Sequence, residues 1–390
     1  MITDNCLYNY EKWPEIAVYE NCRNQKTYII ENTTKADFDL YEEQILKAGA
    51  LKKQSSCICR NYAATFELHH MEIHIYYTEN DNRTHIIADQ ETDFPEDDIV
   101  GSKEECGLYQ FEVDYRKIDC GMCYILQTGG GRFFIIDSAH MNSVEEHLRI
   151  HELLKKLSPD KKIVIAGWFF THGHQDHIAK FMDFVKENFA DVEIQRVYSG
   201  FPALDVPGAE GWKADDKETM REFQELNDAY GWKHIRLHTG QRFQLDELKF
   251  TVLFTYADIC EEPLTCYNDS STILLLEAKG TKVVFLGDSN VRSSVELTAR
   301  YGHGMKTDIV QVAHHGLNDS NVGIYYMLQA KTALYPTAQQ YFQKKMDSEA
   351  NRAVLKTCRE HYLAGEGTRR FCFPYHLGES ELISREIQEM

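Results

Sequence analysis

The first hundred residues combine strand-like and helical spacing of apolar side chains. Residues 27–30 form a short apolar run typical of a strand, and residues 36–50 place apolar side chains three and four positions apart, which predicts an amphipathic helix. Three stretches of alternating polar and apolar residues follow at 56–68, 71–77 and 85–88. These patterns predict a small α+β unit.

An acidic stretch at 89–98 separates this N-terminal domain, assigned to residues 1–100, from a longer domain over 107–390. The longer domain begins with strands in a meander and then alternates strands with helices. The second half of the domain repeats this pattern. Its predicted strands lie at 109–115, 124–127, 132–136, 162–166, 193–198, 248–255, 272–277, 282–286 and 308–312, and its predicted helices at 143–157, 176–188, 208–230 and 291–301. This order predicts an α/β fold, an αββα sandwich of two mixed sheets with outer helices.

The charge of the chain narrows the classes of partner. Its 390 residues include 42 Lys and Arg against 61 Asp and Glu, a formal net charge of −19. Nucleic-acid affinity depends largely on Lys and Arg that neutralise phosphates. The balance therefore disfavours binding of long DNA or RNA over a broad surface, although a local basic groove stays open.

The sequence also carries signals about compartment. It shows no basic stretch followed by an apolar core at its start, and no run approaches the roughly 18 apolar residues of a membrane span. Its 11 cysteines are an odd number without the density of a secreted scaffold. The pair Cys120 and Cys123 has no second pair at zinc-ribbon spacing, so we interpret it as thiols at a strand end. We expect a cytoplasmic protein with reduced thiols and no membrane association; the oligomeric state stays open.

The most informative segment is 163–178, where an apolar strand enters a short loop with His172, His174, Asp176 and His177. Imidazole and carboxylate groups are the ligands that divalent metals of borderline or hard character prefer. Four such groups within six positions would be unusual on a solvated loop. The segment therefore predicts a metal site.

Two candidate ligands for the same site follow later strands. Asp288 comes directly after Gly287 at the end of an apolar strand, and His314 and His315 follow another. Taken alone, Asp288 could cap the helix that begins after it, and a histidine pair is more often structural. Their occurrence in this order after strands favours ligation.

These elements together resemble the metallo-β-lactamase superfamily over about residues 107–375. The resemblance rests on His-x-His-x-Asp-His, the later Gly-Asp and His-His-Gly, and on Asp137 at an early strand end. An Asn/Ser-rich turn that begins at Asn268 makes the chain most similar to the subgroup related to the hydrolase-like domain of bacterial competence DNA-uptake channels. The resemblance is specific for the fold and implies a metal-dependent hydrolase, but it says little about substrate.

The resemblance also implies a binuclear centre of divalent ions, zinc or manganese, with iron as another option. It assigns His172 and His174 to the first ion, Asp176, His177 and His314 to the second, and Asp288 to both, with His315 as a neighbour or an alternative.

One position departs from the family pattern. Where the family has a further histidine, at the end of the strand after the metal-loop helix, this chain has Ser199. The first ion would then have fewer protein ligands, or would borrow a remote histidine such as His234 or His238.

Two ions about 3.5–4 Å apart can share a water molecule and lower its pKa. Asp176 would orient this water, and a general acid for the leaving group would come from outside the ligands. Candidates for that acid are His315, His376 and Tyr335.

The predicted substrate is a phosphoester or phosphodiester of a small molecule or nucleotide, because His and Asp ligands suit zinc or manganese acting on phosphate oxygens. Lactones, thioesters and amides are alternatives on the same site. Two other classes also stay open: a diiron redox protein, and a non-catalytic metal-binding module. In that module the N-terminal aromatic residues would contact a partner; they are Tyr8, Tyr10, Trp13 and Tyr19.

Overall fold

The computed structural model describes residues 16–20, 25–90, 92, 94, 97–101, 104–158, 162–317 and 322–387. Tyr8, Tyr10 and Trp13, which the binding-module hypothesis uses, lie outside these residues. All nine cysteines within them are free thiols. None of the helices in this part of the chain has the length and apolar character needed to cross a membrane.

The N-terminal part forms one six-stranded sheet with a helix on it. The sheet has the order β1-β2-β6-β5-β4-β3. Its elements are β1 (Ile16–Tyr19), β2 (Lys26–Ile30), α1 (Lys35–Lys47), β3 (Leu51–Ile58), β4 (Asn61–Leu68), β5 (Met71–Thr78) and β6 (Arg83–Gln90). Thr34 caps α1 together with Asp37, and Phe38, Tyr41 and Ile45 bury one face of the helix.

The structure differs from two sequence interpretations of this region. The stretch 56–68 is the end of one strand and all of the next, because Cys59 and Arg60 turn the chain with φ of 49° and 65°. Neither is a Gly, Asn or Asp that would have marked such a turn. The acidic stretch 89–98 is more than a linker, since it begins in β6 and ends in β7 (Asp97–Asp98), which pairs with a strand of the sandwich. The division at residue 100 stays a prediction.

The remaining elements alternate as the sequence pattern predicts. Up to the middle of the chain they are β8 (Gly107–Gln110), β9 (Tyr124–Gln127), β10 (Phe133–Ile136), α2 (Glu146–Leu157), β11 (Ile163–Phe169), α3 (Gln175–Glu187), β12 (Val192–Ile194), β13 (Arg196–Ser199), α4 (Ala214–Tyr230) and β14 (Lys233–Arg236). After it come β15 (Arg242–Leu245), β16 (Leu248–Phe254), β17 (Ile273–Ala278), β18 (Thr281–Phe285), α5 (Val291–Tyr301), β19 (Ile309–Gln311), α6 (Gly323–Leu328), β20 (Thr332–Tyr335), α7 (Gln339–Lys345), α8 (Glu349–Thr357), β21 (Glu360–Leu363), β22 (Thr368–Cys372) and β23 (Glu381–Ser384).

Two mixed sheets pack face to face. One has the order β14-β13-β11-β10-β9-β8-β22-β23, with β12 also on β11, and the other β21-β20-β19-β18-β17-β16-β15-β7. Between them Phe134 contacts Phe250, with ring centroids 4.4 Å apart. On the outer side of the first sheet, Phe181 of α3 packs against Trp168, with centroids 4.9 Å apart. The predicted α/β sandwich of two mixed sheets with outer helices is confirmed.

Buried Glu146, at the start of α2, should make stability depend on pH. Burial raises the pKa of its carboxyl to about 7, although the Asp114 N–H donates to it. Between an unfolded pKa of about 4.3 and this value, the folded chain holds a proton that the unfolded chain lacks, so stability falls as pH rises. A shift of this size is worth at most about 3–4 kcal/mol.

We therefore expect Glu146→Gln to gain stability over the wild type as pH rises from 4 to 8, levelling above about 7. Urea unfolding of both proteins at pH 5 and pH 8 measures this gain. Exposed Glu145→Gln is the matched control and should shift stability equally at both pH values. The same difference at both pH values for Glu146→Gln would contradict the prediction.

Candidate metal centre

The candidate ligands lie where strands of both sheets end. In the first sheet β10 and β11 run parallel, and in the second β18 and β19 run parallel. Parallel neighbours bring their carboxyl ends to the same edge of a sheet, where ligand sites form in open α/β sheets. Asp137 follows β10, His172 follows β11, Asp288 follows β18 and His315 follows β19.

The side chains form two groups of possible metal ligands. In the first group, single ligand atoms of His172, His174 and Asp288 all lie within 4.8 Å of one another; in the second group, those of Asp176, His177, Asp288 and His315 do. Asp288 belongs to both. The geometry therefore provides two adjacent ion positions that share a carboxylate.

The distances in the four-residue group match those around one ion. His315 Nε2 lies 3.1 Å from Asp176 Oδ2 and 3.3 Å from Asp288 Oδ2. His177 Nε2 lies 3.3 Å from Asp288 Oδ1 and 3.5 Å from Asp176 Oδ2. Ligand atoms about 2.0–2.2 Å from a tetrahedral zinc ion are roughly 3.3–3.6 Å apart.

Buried atoms without partners show that the residues fit a metal. His177 Nε2, His315 Nε2 and Asp288 Oδ1 are buried and lie close to one another, but they are not aligned for a hydrogen bond with any described residue. Leaving buried polar atoms unpaired costs about 1–3 kcal/mol each. An ion held by these three atoms would remove that cost, and the donor set of imidazole and carboxylate suits zinc, manganese or iron.

The carboxylates and histidines of the centre shift one another's pKa values. Burial opposes ionisation of every member, but the neighbouring histidines outweigh it and hold the pKa values of Asp176 and Asp288 well below the usual range. Likewise, Asp288 and Asp176 overcome burial and raise the pKa of His315 to about 9 and that of His177 well above its usual range. Burial and then His177 lower the pKa of His172 well below its usual value.

A carboxylate behind His177 fixes the ring. Asp137 Oδ2 lies 2.6 Å from His177 Nδ1, and the same carboxylate accepts from Thr171 N–H and its hydroxyl at 2.8 Å each. With Nδ1 engaged, His177 presents Nε2 to the group, the arrangement typical of metal-binding histidines. Gly287, with φ of 56°, lets the Asp288 loop approach, because a Cβ there would lie 2.8 Å from Thr171 Cβ.

Gln311, which was not among the predicted site residues, holds the two loops of the second sheet together. Its Oε1 accepts from Leu286 N–H at 2.8 Å and Gly287 N–H at 2.7 Å, while Nε2 donates to the carbonyls of Gly287 and Val312. The available signal was a polar side chain inside an otherwise apolar strand. The side chain is fully buried and sets the positions of Asp288 and His315.

The structure places the alternative of the two adjacent histidines among the candidate ligands. His315, not His314, belongs to the ligand group, and its Nδ1 lies 3.1 Å from the Pro336 carbonyl, so Nε2 points inward. The reason is the backbone: His314, His315 and Gly316 all have positive φ, which turns the second ring toward the centre. His314 Nε2 lies 3.9 Å from Asp288 Oδ2 at the partly exposed rim, beside Asn268 Nδ2.

The structure does not bring Ser199 or the remote histidines to either ligand group. Ser199 Oγ lies 2.8 Å from His234 Nε2, and this pair faces helix α4 through Phe223. His238 Nε2 lies 3.5 Å from Asp89 Oδ2 and 3.7 Å from Glu72 Oε1, both on the N-terminal sheet. Neither histidine therefore replaces the ligand that the family pattern would supply.

Two proposed general acids also lie elsewhere. Tyr335 packs against Phe342 and His361, and its hydroxyl has no hydrogen-bond partner among the described residues. His376 is exposed on the chain after β22. Both were proposed as general acids because they lie near predicted strand ends. Only some strand ends converge on the metal centre.

A further carboxylate near the first group was not predicted. Asp216 Oδ2, on the first turn of α4, lies 3.8 Å from His174 Nε2. Acidic residues are common in the first turn of a helix because they stabilise the helix dipole. The sequence therefore offered no signal for this contact.

Comparison with solved structures finds similar chains at low sequence identity. The chain is similar to YhfI of Bacillus subtilis, a metallo-β-lactamase fold protein, with 14% identity, a TM-score of 0.41, and coverage of 67% of this chain and 96% of that one. It is similar to CmlA, a diiron β-hydroxylase of Streptomyces venezuelae, with 14% identity, a TM-score of 0.42, and coverage of 70% of this chain and 55% of that one. It is also similar to a diphosphatase of the PhnP family, with 15% identity, a TM-score of 0.33, and coverage of 59% of this chain and 85% of that one. The sequence matches no protein-family model and no curated protein, and the competence-related subgroup stays a prediction.

Proposed function

We propose that this protein is a metal-dependent hydrolase that cleaves a phosphoester or phosphodiester of a small molecule or nucleotide. The observation that carries the proposal is the pair of ligand groups joined by Asp288. Divalent ions held by these residues would supply Lewis acidity and would lower the pKa of a bound water molecule.

The residues around the two groups have separate tasks. Asp288 would hold both ions, and Asp176, with Oδ2 directed at the second group, would accept a hydrogen bond from the attacking water. His314 stands outside both groups, with a side chain 20% exposed, next to Asn268 Nδ2. It is therefore the proposed proton donor to the leaving group, in place of His315.

Charge supports a small substrate over a long polyanion. The net charge of −19 disfavours approach of a long nucleic acid at the general surface. Bound cations would neutralise Asp176 and Asp288, so repulsion is weaker at the centre than the total suggests. A nucleotide or phosphorylated metabolite fits both conditions.

Metal analysis combined with a substrate panel tests the proposal. The metal content and absorption spectrum are measured on the protein as purified. The protein is then stripped with chelator, reloaded with Zn²⁺ or Mn²⁺ and assayed on bis-p-nitrophenyl phosphate, a lactone and a thioester. We expect about two ions per chain and metal-dependent turnover of the phosphodiester. Turnover of only the lactone or thioester would move the substrate class, and iron with a visible absorption band would favour redox chemistry. Failure to turn over any of the three would reject the hydrolase.

A further inference from the structure

We propose that Asp216 is a positioning residue that accepts a hydrogen bond from His174 Nε2–H and so fixes the ring with Nδ1 toward the first ion. The inference rests on the proposed metal centre. It concerns the first ion position, where the family pattern would have a further histidine and this chain has Ser199.

The orientation of His174 follows from its neighbour. His172 Nε2 and His174 Nδ1 lie 3.0 Å apart, so these two nitrogens face the same point. His174 Nε2 is on the opposite side of the ring, where Asp216 Oδ2 lies 3.8 Å away. A shift of about 1 Å closes this gap to hydrogen-bond length.

The carboxylate stands behind the histidine and not among its ligand atoms. The first group consists of His172, His174 and Asp288, without Asp216. Histidines that bind metals commonly donate their second ring N–H to a carboxylate, which fixes the tautomer and makes the ligating nitrogen more basic. Asp137 does this for His177, at 2.6 Å, on the other side of the centre.

Packing holds Asp216 in place for this task. Asp216 is only 8% exposed and lies at the start of the 17-residue helix α4. Trp212, just before the helix, packs on Tyr267 with centroids 4.3 Å apart, and Tyr267 lies 5.4 Å from the His174 ring. This aromatic wall connects the first turn of α4 to the metal loop.

A helix-stabilising role is the competing explanation, and the neighbouring residue separates the two. Asp215 is also a first-turn acid of α4, but it is exposed. Any effect on the helix dipole should be similar for both, whereas only Asp216 lies beside His174. Asp215→Asn is thus the matched control for Asp216→Asn, and Asp216→Ala removes the acceptor altogether.

The test measures zinc affinity at each site by competition with a chromophoric chelator. Removing an outer carboxylate typically lowers metal affinity about 10–100-fold. We expect Asp216→Ala to weaken the first site by this factor, Asp216→Asn to weaken it less because its amide oxygen still accepts, and Asp215→Asn to leave it unchanged. Both variants of Asp216 should still bind two ions at saturating zinc.

Nitrogen-15 NMR of the zinc-loaded protein gives a second signature. His177 and His315 engage their Nδ1 atoms outside the centre, and His172 Nδ1 lies 3.1 Å from Thr171 Oγ1, so among these histidines only His174 would keep an Nε2–H. That proton should exchange slowly in the wild type and rapidly in Asp216→Ala.

Two results would overturn the assignment. One is first-site affinity in Asp216→Ala equal to that of Asp215→Asn, and the other is loss of one ion from Asp216→Asn at saturating zinc, which would make Asp216 a ligand. A wild-type chain that binds no zinc would reject the proposed function together with this inference, so the two failures are distinguishable.

Discussion

Asp288→Asn should release both metal ions at once and reduce turnover to the level of the metal-free protein. Asp288 is the only residue shared by the two ligand groups found among the described residues, and its side chain is 2% exposed. An amide carries no charge to balance two cations. Each ion supplies several kcal/mol of transition-state stabilisation, and about 3 kcal/mol already corresponds to a loss of more than two decades in rate. Metal analysis after gel filtration and phosphodiester turnover measure the two effects.

Asp176→Asn is the control that tests whether the loss of both ions is specific to the residue shared by the two groups. Asp176 belongs to one group only, so this variant should lose the second ion and keep the first. The chemical change is the same, and both residues belong to the same centre. Two ions retained by Asp288→Asn, or equal losses in the two variants, would disprove the bridging role.

Much of the fold could be predicted from the sequence because its strands are apolar and its helices amphipathic. The run 162–166 predicts β11, and the spacing over 291–301 predicts α5 with its observed bounds. The hairpin between β3 and β4 could not be predicted, since Cys59 and Arg60 adopt positive φ without being turn residues. There the pairing of two long strands determines the turn.

The cluster of candidate ligands after β11 could be predicted because its residues are local. His172, His174, Asp176 and His177 lie on six consecutive positions, and any fold that turns this loop inward brings them together. Asp288 could be predicted because it follows a strongly apolar strand.

Contacts between distant elements could not be predicted. Whether a side chain at a strand end faces the centre depends on backbone angles that the residue types do not encode. Ser199, the last residue of β13, turns toward α4 and His234. Asp216 reaches His174 only because α4 packs beside the metal loop. Both cases depend on tertiary packing, which periodicity does not report.

The adjacent histidines provide the sharpest test of the three-dimensional arrangement. His315→Ala should lose the second ion, because Nε2 of His315 lies 3.1 Å from Asp176 Oδ2 and 3.3 Å from Asp288 Oδ2. His314→Ala should keep both ions and still lose turnover about 100- to 10,000-fold, the usual contribution of a general acid. Metal content and phosphodiester turnover of the two variants, which differ by one position, separate binding from proton transfer.

The nature of the leaving group makes the role of His314 independently measurable. A phosphodiester with a p-nitrophenolate leaving group needs little protonation, whereas one with an alkoxide leaving group needs much more. His314→Ala should therefore impair the alkyl substrate far more than the nitrophenyl substrate, and His315→Ala should impair both alike. Loss of an ion from His314→Ala with retention of both by His315→Ala would instead support the ligand order predicted from the sequence, and would show that His314, not His315, turns inward when metal binds.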